Sequence, residues 1–348
     1  MFWVRRRIWF RILMKVYHSY WSSGWAGKPS PFVIDLHRLS AFLAKKHYGE
    51  VHLVTDSEGA KSLGHLGYTS VSTELDALPK EYHYVWSLGK IWVYKKAAEE
   101  GVPFMHIDYD VLLWKPLPVD FTNSPVFVER IEHGVNSLYN VPVFYDNCPK
   151  LHDLEGCRDL DYAINAGVVG GTNTAFIGEA YGKAWDFVMD PENRKFMTAN
   201  EVINAPTWLR ATVAEQLYFY RYAESKSQFL RPLLTKSWHT EKDKQADELG
   251  YTHLWGAKTF PDIQKRILAK CKEFGLPTAS DPHDTKWAVK GVKSLVKALA
   301  LPDTEKSNAR LEICKSCPEW TGSRCKICGC FTSLKVRIEK EHCPIGKW

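Results

Sequence analysis

The chain has 348 residues, 45% of them hydrophobic and 13% aromatic, enough to pack one large or two modest domains and too apolar for a disordered or fibrous protein. No apolar run approaches the roughly 18 to 20 residues that a membrane-spanning helix requires, so that class is excluded too. The net charge of +6 is unevenly placed: residues 261–348 carry 17 Lys and Arg against 10 Asp and Glu, and the remainder carries 29 against 30. A basic tail of this kind suits a polyanionic partner or a solvated lysine-rich face.

Residues 1–13 are basic and aromatic, but Arg11 interrupts the apolar part and no small-residue cleavage site follows. They read as an upstream extension rather than a secretory signal, so a cytoplasmic location is expected, with a peripheral membrane contact as the alternative. Extended and helical patterns then alternate. Residues 14–21 read as a strand, 31–47 as a helix with Leu36, Leu39, Phe42 and Leu43 at core spacing, 50–55 as a strand, 58–66 and 83–100 as helices, and 103–108 as a strand. This order predicts an α/β fold with a mostly parallel sheet, whose ligands bind at the carboxyl ends of its strands. Residues 125–128 read as a further strand, 140–171 as irregular with short strands, and 173–189 and 207–224 as helices. The chain divides into an extension (1–13), a main domain (14–260), a basic helical linker (261–305) with an amphipathic helix at 287–299, and a cysteine-rich module (306–348).

Residues 104–118 carry the most information, because an apolar strand runs directly into Asp108-Tyr109-Asp110. Two carboxylates at a buried strand end are costly unless a positive charge meets them. Mn2+ or Mg2+ favours carboxylate oxygen and leaves positions open for phosphate. A polar surface turn is the competing reading. Thr55-Asp56 falls at a second strand end.

Several segments in order resemble the sugar-nucleotide glycosyltransferases of the GT-A fold, related to the capsular and glycosyltransferase-sugar DXD families. His18-Ser-Tyr-Trp21 resembles their Ile-His-x-x-Trp opening, which implies base contacts at the first strand end by His18 and Trp21, with Asp56 as a further nucleotide-site residue. Lys90 matches a family cation near the donor diphosphate. Asp108-Tyr109-Asp110 matches the DXD motif, implying Asp110 as the direct metal ligand and Asp108 as the contact to ribose or sugar. His253-Leu-Trp-Gly-Ala-Lys258 resembles His-x-x-Gly-x-x-Lys, with the lysine one residue early, which implies His253 on the metal and Lys258 on the phosphate. The stretch from Asn165 through Gly167 to Asn173 resembles the family's Asn-x-Gly segment, where glycine permits close backbone approach and Asn165 or Asp161 reaches the sugar. Asp161 and Glu215 are the candidate bases of an inverting reaction, whereas the DXD families point to retention. The resemblance thus implies a Mn2+- or Mg2+-dependent transferase using a nucleotide sugar, with UDP-sugar as the expected donor.

Six cysteines close the chain: Cys314, Cys317, Cys325, Cys328, Cys330 and Cys343. Two Cys-x2-Cys pairs at this separation fit a structural Zn2+ held by four thiolates, the default set being Cys314, Cys317, Cys325 and Cys328. A disulfide framework is the rival. The tail, closing in Cys343-Pro-Ile-Gly-Lys-Trp348, resembles small cysteine-rich zinc modules of tailed bacteriophages. That resemblance implies a phage-encoded enzyme in the host cytoplasm, with a hydroxymethylated base in phage DNA as acceptor. A bacterial surface glycan, or a non-catalytic nucleic-acid-binding role, are the alternatives.

Overall fold

The computed structural model describes residues 14–25, 27–135, 144–145, 147–148, 161–198, 208–236, 239–280, 304–320, 332–337, 343 and 346–348. The extension at 1–13, the helix expected at 287–299 and Cys325, Cys328 and Cys330 lie outside those residues. The chain separates into two compact units, Met1–Ser280 and Asp281–Trp348. Among the described residues no helix is long and apolar enough to cross a membrane.

Among the described residues the first unit has nine strands: β1 (Lys15–Tyr20), β2 (Val51–Thr55), β3 (Ser70–Ser72), β4 (Phe104–Ile107), β5 (Val111–Leu113), β6 (Phe127–His133), β7 (Tyr162–Gly171), β8 (Arg231–Pro232) and β9 (Tyr251–His253). Seven form one sheet in the order β3-β2-β1-β4-β7-β6-β8, and β5 pairs with β9 in a separate ribbon. Every neighbouring pair in the large sheet is parallel except the two made by β7. This is the mostly parallel α/β architecture expected from the alternating pattern.

Helix α1 (Pro31–Tyr48) starts where Ser30 accepts a hydrogen bond from the Val33 amide and Pro31 takes the first turn, and it stops at Gly49, whose φ of 86° few other residues adopt easily. Helix α2 (Ser57–Leu63) is capped by Asp56. Helix α3 (Leu88–Glu99) packs with the helix Thr174–Met189 on one sheet face, against Tyr17, Phe104, Val128 and Val169. The residues that alternate with these, Val16, Met105, Phe127 and Val168, fill a second cluster on the opposite face with Ala44 of α1.

Two elements depart from expectation. The segment read as irregular ends in β7, a ten-residue antiparallel strand whose five small residues, Ala163, Ala166, Gly167, Gly170 and Gly171, hid its strand character. The helix Pro261–Glu273, assigned from sequence to the linker, turns Ile263, Ile267 and Cys271 into a cluster with Leu36, Leu39 and Leu43 of α1 and so belongs with the first unit.

In the second unit the helix Glu305–Lys315 opens with a reciprocal capping box between Thr304 and Ser307. Cys314 closes it, and Cys317 follows one turn later. Trp348 Nε1 donates to Cys314 Sγ at 3.2 Å and Lys347 Nζ to Cys317 Sγ at 3.5 Å, while Cys343 lines the same small cavity.

Three histidines in the first unit, His18, His37 and His106, are buried. Burial holds the pKa of His18 down at about 3 and pushes His37 and His106 well below their ordinary range. The unfolded chain therefore binds more protons than the folded one below about pH 6.5, so the stability these neutral rings allow is fully present above that pH and drains as pH falls. Denaturant midpoints measured between pH 7 and pH 5 should drop, with a slope of up to about 1.4 kcal/mol per pH unit for each histidine. The Glu215 carboxyl, held up at about 7, opposes this slope, so a midpoint flat across that window in both the wild type and Glu215→Gln would refute the assignment.

Candidate functional site

The carboxyl ends of β1, β2 and β4 meet at one edge of the sheet. β4 ends at Ile107, the chain turns through Asp108, Tyr109 and Asp110, and it re-enters an extended path as β5. The turn closes on the Val111 amide, which donates to the Asp108 carbonyl at 2.9 Å. Antiparallel pairing of β5 with β9 sets His253 opposite Val111, and the Leu254 amide donates to the Asp110 carbonyl at 3.0 Å. Residues distant in sequence are thereby brought together: one ligand atom from each of Asp108, Asp110 and His253 lies within 4.8 Å of the others. Among the described residues this is the one such cluster of three or more metal-ligating side chains.

The surroundings of the cluster fit a divalent cation. His253 Nε2 lies 3.5 Å from Asp110 Oδ1, and its Nδ1 donates to Glu129 Oε2 at 2.6 Å. A carboxylate on the outer nitrogen fixes the ring and turns the other nitrogen toward the ligand position, the usual arrangement around a metal-bound imidazole. Burial by itself would lower the pKa of His253, but Glu129 and Asp110 outweigh it and hold the ring protonated to about pH 10. Burial likewise opposes the charge on Asp110, yet His253 and Lys258 keep its carboxyl well below the usual range. Lys258 Nζ is 2.6 Å from Asp110 Oδ2. In this state protons and lysines carry the positive charge that two buried carboxylates demand, and a cation at the same place would take over that task.

Gly167 makes the pairing of Glu129 with His253 possible. The β6–β7 ladder passes from Val128 opposite Val169 to Arg130 opposite Asn165, so Glu129 alone stands against Ala166, Gly167 and Val168. In this bulge the Gly167 carbonyl accepts from the Asp108 amide at 2.9 Å, and its own amide donates to Asn165 Oδ1 at 3.1 Å. A Cβ on Gly167 would fall 2.1 Å from Glu129 Oε2 and 2.6 Å from the His253 ring. The groups that approach the backbone closely at this glycine are protein side chains.

Lys90 sits behind Asp108. Its ammonium contacts Asp108 Oδ1 at 2.8 Å and Glu215 Oε1 at 2.6 Å, and it donates to the Ala166 carbonyl at 3.2 Å. An ammonium has three protons, and all three are committed to protein acceptors. The diphosphate contact expected of Lys90 is therefore not available here; burial would discharge this lysine, and the two carboxylates hold it charged. Glu215 lies in a π-helical segment, Val213–Leu217, between the α-helical stretches Trp208–Thr212 and Tyr218–Ser225. The sequence suggested one uninterrupted helix. Burial pushes its carboxyl up to about 7, and its Oε2 is buried without a hydrogen-bond partner. It faces Lys90 and Tyr94, not an open cleft.

Other expectations are also corrected. Asp161 precedes β7, six residues before Gly167, or about 20 Å along an extended strand, so it does not join the cluster. His18 is completely buried in a polar chain whose protons can be assigned. Ser40 donates its one hydroxyl proton to the Val111 carbonyl at 2.6 Å, so it accepts from His18 Nε2 at 3.3 Å. His18 Nδ1 then accepts from the Tyr68 hydroxyl at 2.9 Å, and Tyr68 in turn accepts from His37 Nδ1 at 2.9 Å. Trp21 is 2% exposed and packs beneath Gly24 and Gly89. Neither residue of the opening motif can meet a base. Asp56 joins two loops at the sheet edge, accepting from the Ser22 amide and hydroxyl at 2.9 and 2.6 Å and from the Gly59 amide at 2.8 Å.

The exposed residue of that region is Trp25, which sequence reasoning missed. It packs on Trp86 at 5.0 Å and edge-on to Tyr109 at 6.1 Å, with Lys258 Nζ 6.0 Å from its ring. Glu129 was missed as well; an acid inside Val126-Phe-Val-Glu-Arg-Ile131 was the available signal. On the other flank of His253, Trp255 is 41% exposed. Its Nε1 comes within 2.6 Å of His253 Nδ1, but that nitrogen already gives its proton to Glu129 and cannot accept another. Indole and imidazole therefore meet as rings, at 5.5 Å and 74°.

Comparison with known proteins gives two families of undefined activity. Residues 14–269 match a family of unknown function, DUF6734, and residues 301–348 match another, DUF6171. No curated protein matches the chain. Among solved structures it resembles the apo form of mouse xyloside xylosyltransferase 1 at 9% identity and a TM-score of 0.35, covering 68% of this chain and 93% of that one. It also resembles the apo structure of the WbbM bifunctional glycosyltransferase at 8% identity and a TM-score of 0.30, covering 68% of this chain and about half, 52%, of that one. Overlap of this extent carries nothing about substrate or reaction.

Proposed function

Because the chain belongs to a family of unknown function, DUF6734, its activity has to be read from its site, and we propose that it is a metal-dependent glycosyltransferase using a nucleotide-sugar donor. The observation that carries this reading is the Asp108, Asp110 and His253 cluster at the carboxyl edge of a mostly parallel sheet, with Glu129 orienting the imidazole. Asp108, Asp110 and His253 would hold Mn2+ or Mg2+, which supplies charge stabilisation to a diphosphate leaving group. Lys258, whose ammonium lies at the outer oxygen of Asp110, would meet the phosphates. Trp25 offers an exposed ring next to Tyr109 and Lys258 on which a base can stack, and a uridine diphosphate sugar is the proposed donor.

Lys90 and Glu215 act from behind. A buried ion pair that touches Asp108 fixes that carboxylate and keeps its charge balanced. Retention is the proposed outcome, since neither acid weighed as an acceptor base, Asp161 or Glu215, stands in the cleft. The test is release of nucleoside diphosphate from a panel of nucleotide sugars with and without Mn2+. Absence of turnover and of binding for every donor would overturn the reading.

The cysteine-rich unit is proposed to hold a structural Zn2+, supported by the Cys-x2-Cys spacing and by the two N–H donors directed at the Cys314 and Cys317 sulfurs, as thiolates require. Metal analysis of the reduced protein should find about one zinc per chain, with loss of the metal in Cys314→Ser; a zinc-free, folded protein would sink this assignment. Phage DNA as acceptor rests on that tail alone.

A further inference from the structure

Two exposed tryptophans flank the ligand cluster, and a transferase has two substrates to seat. Trp25 is 39% exposed and belongs to the side of Asp110, through Tyr109 and Lys258. Trp255 belongs to the side of His253 and shares none of those partners. Its backbone is held at φ 42°, in the left-handed region that costs a non-glycine residue about 1–2 kcal/mol. Burial does not offset that strain, because the ring is 41% exposed. The strained turn sets the indole at the rim instead of in the core.

What surrounds the ring tells what it would bind. The Arg130 guanidinium lies 4.4 Å from the indole centroid, and Lys242 Nζ 5.8 Å. Arg130 is fixed by Glu132 at 2.6 Å, and the same carboxylate oxygen accepts from Asn165 Nδ2 at 3.1 Å. Asn165 is held on its other side by the Gly167 amide. Flat polar groups of three kinds are thus gathered around a ring that stays 41% exposed, the guanidinium over the indole itself and the carboxylate and amide behind the guanidinium. A sugar ring has the matching surfaces: C–H groups for the indole and an edge of hydroxyls that both donate and accept. The positive charges are answered within the patch, Arg130 by Glu132 and Lys242 by Asp243 at 4.0 Å, so the chemistry is that of a polar ligand more than of a polyanion.

We propose that Trp255, Arg130 and Glu132, backed by the buried Asn165, form the acceptor subsite and that it takes a carbohydrate ring, which makes the acceptor a glycan hydroxyl rather than a DNA base. This rests on the glycosyltransferase reading above and names the second substrate of the same site.

Saturation-transfer NMR on the full chain, with Mg2+ and a panel of methyl glycosides, tests it. At least one glycoside should bind, with saturation concentrated on ring C–H protons. Trp255→Ala should weaken binding by at least about tenfold, the loss expected when an aromatic platform is removed, and Trp255→Phe should restore most of it. The restoring variant separates loss of the platform from loss of the fold. Binding of no glycoside, or binding indifferent to Trp255→Ala, would overturn the proposal, as would Trp255-dependent binding of a hydroxymethylated duplex in place of glycosides. If glycosides bind while no nucleotide sugar is turned over or bound, the glycosyltransferase reading fails and the carbohydrate site stands.

Discussion

Asp110→Asn should lower Mn2+-dependent turnover of the donor by at least about 100-fold and weaken Mn2+ binding in parallel. The side chain has one oxygen 3.5 Å from His253 Nε2 and the other 2.6 Å from Lys258. An amide keeps the shape and removes the charge, so a cation would lose one anionic ligand while His253 and Lys258 lose the carboxylate that keeps them charged. Replacement of Asp108 differs in kind, because Lys90 stands directly on it and would also lose a partner. Initial rates of nucleoside diphosphate release, together with a Mn2+ titration, give the two numbers needed. Turnover equal to that of the wild type would remove Asp110 from the site.

Gly167→Ala is expected to damage the same site without changing any charge. The added carbon would sit 2.1 Å from Glu129 Oε2 and 2.6 Å from the His253 ring; Glu129 is buried, His253 is partly buried, and the two are bound to each other at 2.6 Å. Neither has a free rotamer to retreat into. Overpacking at such a place costs about 1–3 kcal/mol, and displacing the carboxylate that orients a metal-binding imidazole costs about 10- to 100-fold in metal affinity. Chemical denaturation reads the first effect and Mn2+ titration the second. If both are unchanged, the bulge at residues 166–168 does not support the site as described.

The strand that ends in Asp108 was legible because a run of apolar residues met two acids with no turn residue between them, and His253 was legible because a histidine and a lysine stood five residues apart in a short motif. Burial was not legible. His18 and Trp21 look like surface contacts in a motif, yet β1 is a central strand covered on both faces and Trp21 packs beneath Gly24 and Gly89. Lys90 reads as a phosphate cation until the fold brings Glu215 to it from a distant helix. Glu129 is hidden in an ordinary strand pattern, and its importance exists only after β7 bulges and β9 supplies an imidazole. The helix Pro261–Glu273 looked like linker because its charged residues outnumber the apolar ones, although three apolar side chains on one stripe are enough to dock it.

The ribbon of β5 with β9 has a consequence for when the site comes into being. Its two strands are separated by about half of the first unit, so closing it is a late, high-contact-order event. A chain emerging from the ribosome carries both carboxylates well before the imidazole exists, and it has no complete ligand set until Tyr251–His253 has docked. A cation bound by all three residues would favour only the docked state, in proportion to the logarithm of its concentration over its dissociation constant. The ion would then be a latch on the last step of folding, and its supply in the cell would set how much of the protein matures as well as how fast it works.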